Sequence, residues 1–179
     1  MLTTLALQSQ FIVEIGTLTG EGSTVCLHNG MKKPDQRLVG IEVCKESALI
    51  AAKRYAHDNR VQILHGTVVG PDVFPQFTHH PHRDGKAWWD AERYLVGDAP
   101  HITEDAFGSI DLLLIDGGEF GAYEEFLALG PHAKIIALDD SMTYKNARTR
   151  DHIRHLKNNW EVLRDETDRN GWFVARRTR

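Results

Sequence analysis

Two apolar runs in this chain end on clusters of carboxylates. Ile110-Asp111-Leu112-Leu113-Leu114-Ile115 is followed at once by Asp116-Gly117-Gly118-Glu119, and the run from Lys134 to Leu138 by Asp139-Asp140. If the runs are neighbouring strands, three carboxylates reach one edge, a grouping that repels itself unless a proton or cation intervenes. Oxygen donors of this kind suit Mg²⁺ or Ca²⁺ better than zinc. Asp116, Asp139 and Asp140 are therefore candidate metal ligands, the alternative being that some of them cap helices or orient another ligand. Glu119 is a candidate general base; it could equally be a fourth ligand or a carboxylate favoured by a helix N-terminus. Lys145, just beyond the acidic pair, is the competing base, or else a surface lysine.

A second constellation lies near the N-terminus. Phe11-Ile12-Val13-Glu14-Ile15 runs into Gly16-Thr17-Leu18-Thr19-Gly20-Glu21-Gly22-Ser23, where glycines let the backbone turn tightly and approach a ligand and the following helix offers free N–H groups. The dinucleotide fingerprint wants glycines at offsets 0, 2 and 5, but Leu18 and Glu21 hold the second and third positions. The spacing present is Gly16-x-x-x-Gly20, with Glu14 two residues before the first glycine, a carboxylate that would suit a cationic amine and repel a pyrophosphate. Another acid, Glu42, ends the run Arg37-Leu38-Val39-Gly40-Ile41, and carboxylates are sound acceptors for a ribose diol. The alternatives are a simple tight turn for the glycines and a solvated strand end for Glu42.

The elements that must position these residues are legible as alternating strands and helices. Strand-length runs end at Ile15, Glu42, His65 (from Val61), Ile115 and Leu138, and the largely apolar run Phe11 to Ile15 reads as a central strand buried on both faces. Between them, Ser23 to His28 forms a short helix that stops before Asn29-Gly30 and Pro34. Lys45 to His57 carries Ala48, Leu49, Ala52, Tyr55 and Ala56 on one helical face, and Tyr123, Phe126 and Leu127 mark a helix after Gly118. Ile153, Leu156 and Trp160 form a last helical stripe. Residues 67–109 break the rhythm with Pro71, Pro75 and Pro81, the cluster His79-His80-Pro81-His82, and Trp88-Trp89; they read as an inserted loop holding one helix, Trp89 to Leu95. The histidines, with Asp84, read as a flexible loop rather than a transition-metal site, and the tryptophans as an aromatic wall or as sheet packing. Trp160-Leu163 and Trp172-Ala175 flank Asp168-Arg169-Asn170-Gly171, and Asn-Gly between two β-rich runs predicts a hairpin. Alternating elements of this kind imply an α/β fold, a mostly parallel sheet with helices on both faces and right-handed crossovers. With no internal repeat or linker, residues 1–179 read as one domain. The final Arg176-Arg177-Thr178-Arg179 reads as a solvated terminus.

Glu14-x-Gly16-x-x-x-Gly20, Glu42 and the terminal hairpin together resemble the class I S-adenosylmethionine-dependent methyltransferases, over about residues 10 to 176. The resemblance implies a Rossmann-like seven-stranded sheet of order 3-2-1-4-5-7-6 with the last strand antiparallel, and S-adenosylmethionine as cofactor. It places Glu14, Gly16, Thr17, Gly20, Gly22, Ser23, Glu42 and Asp116 at that cofactor, the turn Gly16 to Ser23 holding its methionine part and Glu42 accepting from both ribose hydroxyls. The acidic clusters look like those of the metal-assisted O-methyltransferases that act on catechols and natural-product sugars, which implies Mg²⁺ on Asp116, Asp139 and Asp140. A lysine or histidine three residues after the first aspartate often serves there as base; Glu119 holds that place here. The implied acceptor is a small hydroxylated molecule. No long helical segment precedes the first strand, so residues 67–109 or a partner subunit would have to cover the substrate.

Composition bounds the remaining classes. The chain has 179 residues, 41% hydrophobic and 26% charged, so it is neither disordered nor fibrous. Its 21 basic against 25 acidic residues leave a net charge of −4, so no overall field recommends nucleic acid or an anionic membrane. Cys26 and Cys44 fall inside segments that read as helix and strand end, which argues against a disulfide framework and favours a reducing compartment. Residues 1–7 lack a basic signal-peptide region and no apolar run reaches spanning length, so a cytoplasmic protein is expected, with a homo-oligomer compatible. Two other readings stay open: an NAD-dependent oxidoreductase, and a non-catalytic module that keeps the cofactor pocket.

Overall fold

The computed structural model of the protein describes residues 1–74, 76–156 and 159–178. Its element order is α1 (Leu2–Gln8), β1 (Phe11–Ile15), α2 (Ser23–Gly30), β2 (Arg37–Glu42), α3 (Lys45–Tyr55), β3 (Val61–His65), α4 (Gly85–Asp98), β4 (Ile110–Ile115), α5 (Ala122–Leu129), β5 (Ala133–Asp139), α6 (Ala147–His155), β6 (Trp160–Glu166) and β7 (Trp172–Arg177). The strands form one sheet of order β3-β2-β1-β4-β5-β7-β6. β7 runs antiparallel to both neighbours while β1 to β5 pair in parallel, so the expected α/β architecture and strand order are present.

β4 shows why the central strands read as unbroken apolar runs. Leu112 and Leu114 join Leu2, Ile12, Leu27 and Leu38 on one face, whereas Leu113 and Ile115 join Val13, Ile41, Phe126 and Ile153 on the other, so both faces of the strand are buried. Register then sets the site. Ile15 stands opposite Ile41 and Ile115, and Ile115 opposite Leu138. The residues that follow, Gly16, Glu42, Asp116 and Asp139, therefore leave the sheet side by side along its carboxyl edge, where open α/β sheets bind ligands.

Several elements differ from the sequence expectation. α1 was not anticipated; it docks beside α2 so closely that a Cβ on Gly30 would lie 2.4 Å from the Thr3 carbonyl oxygen. The Gln36 side chain fastens it by donating to the carbonyls of Ala6 (2.8 Å) and Ser9 (2.7 Å). α3 buries Ala48, Ala51 and Tyr55 but leaves Leu49 62% exposed, because the small residues on the first stripe let the helix sit close to the sheet. α4 extends well beyond Trp89–Leu95 at both ends. Trp160 opens β6 instead of continuing the helical stripe. Arg177 is not a solvated tail residue: it ends β7, donates to the Gly130 and Ala133 carbonyls, and lies over the Trp160 ring, while Arg179 lies outside the described residues. Among the described residues no helix is long and apolar enough to cross a membrane.

Candidate functional site

The turn after β1 is built by three residues in left-handed backbone. Gly16 has φ +85°, and a Cβ there would stand 2.4 Å from the Asp116 carbonyl oxygen, so only glycine lets this turn lie against the loop after β4. Gly20, φ +75°, is held from α3 by the Tyr55 hydroxyl, which donates to its carbonyl at 2.7 Å. Leu18 adopts φ +47° without being glycine, a conformation that persists only where surroundings fix it. Glu42 is what fixes it: one carboxylate oxygen accepts the Leu18 N–H at 2.7 Å and the other accepts the Cys44 N–H at 2.9 Å. Each oxygen keeps a further lone-pair site for a ligand.

These segments line a cavity of about 790 Å³ at the carboxyl edge of the sheet, within the range of small-molecule sites. Gly16, Thr17, Gly22, Ser23, Glu42 and Asp116 line it together with Glu119, Asp140 and Lys145, and Trp88 and Glu92 of α4 add to its wall. From the segment between β3 and β4, Thr67, Val68, Trp88, Glu92 and Val96 reach this wall. Glu14 and Gly20 are not on the cavity wall. Glu14 is fully buried, and the Ser23 and Thr24 hydroxyls lie near it without reaching hydrogen-bond geometry. Burial pushes its pKa up to about 7, against the pull of those hydroxyls.

The second half of the site centres on Lys145. Its ammonium, largely buried, sits 2.7 Å from Asp116 Oδ1 and 3.4 Å from Asp140 Oδ2. The other Asp116 oxygen accepts from Ser23 Oγ at 3.1 Å, and Asp139 Oδ1 accepts the Asp140 N–H at 2.8 Å. Burial alone would drive the lysine's pKa down, but Asp116, Asp140 and Asp139 outweigh it and hold the pKa above its ordinary value. Burial and the Asp116 charge raise that of Asp139. Whether Asp116, Asp139 and Asp140 fit Mg²⁺ is a question of this donor set. One oxygen of each is already engaged by a donor of the protein, and among the described residues no group of three or more His, Cys, Asp or Glu side chains converges as a metal-binding set. The arrangement fits an ammonium ion and does not fit a divalent metal.

Glu119 faces the cavity beside His80, whose Nε2 is 3.1 Å from Glu119 Oε1. The His82 backbone N–H donates to His80 Nδ1 at 3.0 Å, which assigns the proton to Nε2 and makes His80 the donor to the carboxylate. His80 is buried among Trp88, Phe120 and Tyr144, so this part of the histidine cluster is packed and not a free loop. Under the same wall, Glu92 accepts the N–H groups of Phe120 and Gly121 at the start of α5. Burial, with the Glu92 charge added, pushes Glu125 up to about 8, and its Oε2 has no hydrogen-bond partner.

No family model and no curated protein matches the chain. Solved structures do match. The O-methyltransferase from Bacillus cereus, in complex with S-adenosylhomocysteine, has a TM-score of 0.64 at 15% identity, covering 99% of this chain and 79% of that one. TomG from Streptomyces achromogenes, an O-methyltransferase involved in tomaymycin synthesis and solved with S-adenosylmethionine, gives 0.62 at 18% identity over 99% and 78%. Cofactor-bound Rv0187 from MTB gives 0.65 at 20% identity over 98% and 77%. The chain has the class I methyltransferase fold.

Within that fold, the sequence-predicted residues line the cavity except for Glu14, which is fully buried, Gly20, which lies within the turn, and Asp139, which ends β5. Two participants, Glu92 and Glu125, were not read from sequence, and a third, His80, was read as part of a flexible loop. His80 meets Glu119 across 39 positions, and Glu92 meets Gly121 across 29, so no local spacing marks either pair. Glu92 is the most legible of the three, a carboxylate on the inner face of an amphipathic helix.

Proposed function

We propose that this chain transfers a methyl group from S-adenosylmethionine to an oxygen of a small hydroxylated molecule. The observation that carries the reading is Glu42. It is a nearly fully buried carboxylate that shapes the Gly16–Ser23 turn and still has acceptor capacity toward the same cavity, as a ribose diol requires. Neighbours of the same fold bound to S-adenosylmethionine and S-adenosylhomocysteine support it. Thr17, Gly22 and Ser23 would hold the methionine end, and Gly22 leaves open space where a side chain would project.

When bound, S-adenosylmethionine supplies a methyl group on a sulfonium sulfur, which keeps the C–S electron pair and leaves as the thioether S-adenosylhomocysteine. The chain's own residues then have three tasks. Glu119 takes the hydroxyl proton as the acceptor oxygen uses a lone pair to form its bond to the methyl carbon. His80 holds Glu119 in place through its Nε2–H, with the opposite ring nitrogen already fixed by the His82 backbone. Trp88 and Glu92 position the wall that aligns acceptor and donor. Lys145 is a poor base here because Asp116 and Asp140 hold its proton, so the base role falls to Glu119. No step runs through Mg²⁺, whose expected ligands do not fit it.

The test is transfer of isotope-labelled methyl from S-adenosylmethionine to a panel of phenols, sugar alcohols and matching amines and thiols, read by mass spectrometry. Label on an oxygen is the expected result. Label confined to nitrogen or sulfur acceptors overturns the oxygen assignment.

A further inference from the structure

We propose that the Lys145 ammonium is the built-in cation of this site, standing between carboxylates that would otherwise gather a divalent ion, and that the acceptor is therefore a compound presenting a single hydroxyl rather than a chelating pair. This rests on the methyl-transfer reading above and deepens it.

Three observations carry it. The ammonium lies between the carboxylates that leave β4 and β5, 2.7 Å from Asp116 and 3.4 Å from Asp140, with the side chain only 9% exposed. A buried charge holds such a place only when paired, and here both aspartates pair with it. The backbone beside it is fastened: Asn146 Nδ2 donates to the carbonyls of Asp139 (2.7 Å) and Ile115 (3.2 Å), and Thr143 donates to the Asp140 carbonyl through both its N–H (3.0 Å) and its hydroxyl (3.0 Å). The lysine therefore springs from a segment tied to both strand ends. Finally, each of the three carboxylates already spends an oxygen on a donor of the protein, Asp116 spending both.

The substrate class follows from donor arithmetic. An ammonium has three N–H groups; two point to Asp116 and Asp140, and one is left for the cavity that Lys145 lines. One donor holds one oxygen. A divalent ion that chelates a catechol or vicinal diol offers two coordination positions, which Lys145 cannot imitate. A second, divalent charge among the same carboxylates would also be repelled by the ammonium at contact distance. Lys145 thus holds the acceptor oxygen and favours its oxyanion, while Glu119 receives the proton.

The test is Mn²⁺ titration followed by electron paramagnetic resonance, with S-adenosylhomocysteine calorimetry on the same samples. Wild type should leave the free-ion signal unchanged up to millimolar Mn²⁺. Lys145→Ala, which uncovers the carboxylates, should gain at least roughly tenfold in Mn²⁺ affinity, and Lys145→Arg should behave as wild type. Methyl transfer by the wild type should survive EDTA and favour monohydroxy acceptors over catechols. Stoichiometric micromolar Mn²⁺ binding by wild type, or a folded Lys145→Ala without the gain, overturns the proposal. The wild-type titration decides even if the alanine variant does not fold. Absence of S-adenosylhomocysteine binding, by contrast, overturns the methyl-transfer reading and leaves the Mn²⁺ result to stand separately.

Discussion

Replacing Glu42 with glutamine removes one charge and almost no volume, yet the structure predicts a large effect on two quantities at once. Both carboxylate oxygens accept backbone N–H groups, from Leu18 at 2.7 Å and from Cys44 at 2.9 Å. Glutamine has one acceptor oxygen, so its NH₂ must face one of these donors, and a buried N–H goes unpaired at a cost of about 1–3 kcal/mol. For a chain of this size that is a fall in Tm of roughly 2–12 °C. The ribose hydroxyls lose charge-assisted bonds worth about 1.5–3 kcal/mol, which weakens S-adenosylhomocysteine binding by roughly 10- to 150-fold. Glu46→Gln, on the exposed side of α3, should change stability by less than about 0.5 kcal/mol and is the control. Calorimetric titration and thermal melts of wild type, Glu42→Gln and Glu46→Gln read all of this. A Glu42→Gln protein that melts like wild type and binds S-adenosylhomocysteine as tightly would refute both the anchoring of Leu18 and the ribose contact.

Three further outcomes follow from the same geometry. Burial raises the pKa of Glu14 to about 7 and of Glu125 to about 8, so the folded chain keeps protons that the unfolded chain has released; this stability is present below about pH 4.5 and is lost as pH rises through those values. Glu125→Gln should therefore be more stable than wild type at about pH 9 by a few kcal/mol, at about 1.4 kcal/mol per pKa unit, and equal stability of the two in denaturant melts there would contradict it. Gly16→Ala puts a Cβ 2.4 Å from the Asp116 carbonyl oxygen at φ +85°, and should cost about 3 kcal/mol or more of stability; a melt within a degree of wild type would show that the turn yields. Glu119→Gln should lower kcat by roughly 10²- to 10⁴-fold with S-adenosylhomocysteine affinity unchanged, and an undiminished kcat would remove Glu119 as base.

The sheet was legible because strands buried on both faces have to be apolar throughout, and the register of β1, β2, β4 and β5 then delivers Gly16, Glu42, Asp116 and Asp139 to one edge without further information. The hairpin was legible for a local reason as well, since Gly171 sits at φ +87° where glycine is favoured. What escaped was whatever depends on contact across the chain. α1 is short, and it is the Gln36 side chain, far along the sequence, that fastens it. The rotation of α3 toward Ala48 and Ala51 is set by the sheet beneath it, not by its own apolar pattern. The same limit applies at the site. Sequence spacing brought three aspartates together but did not show that Lys145 would fold back between two of them, and His80 reaches Glu119 only because it packs against Trp88, Phe120 and Tyr144.

The central claim is that the cavity beside Glu42 is a site for S-adenosylmethionine, and calorimetric titration of the wild-type chain with S-adenosylhomocysteine and, separately, NAD tests it most directly. The account predicts saturable one-to-one binding of S-adenosylhomocysteine and no heat from NAD. Saturable NAD binding with no response to S-adenosylhomocysteine would contradict it.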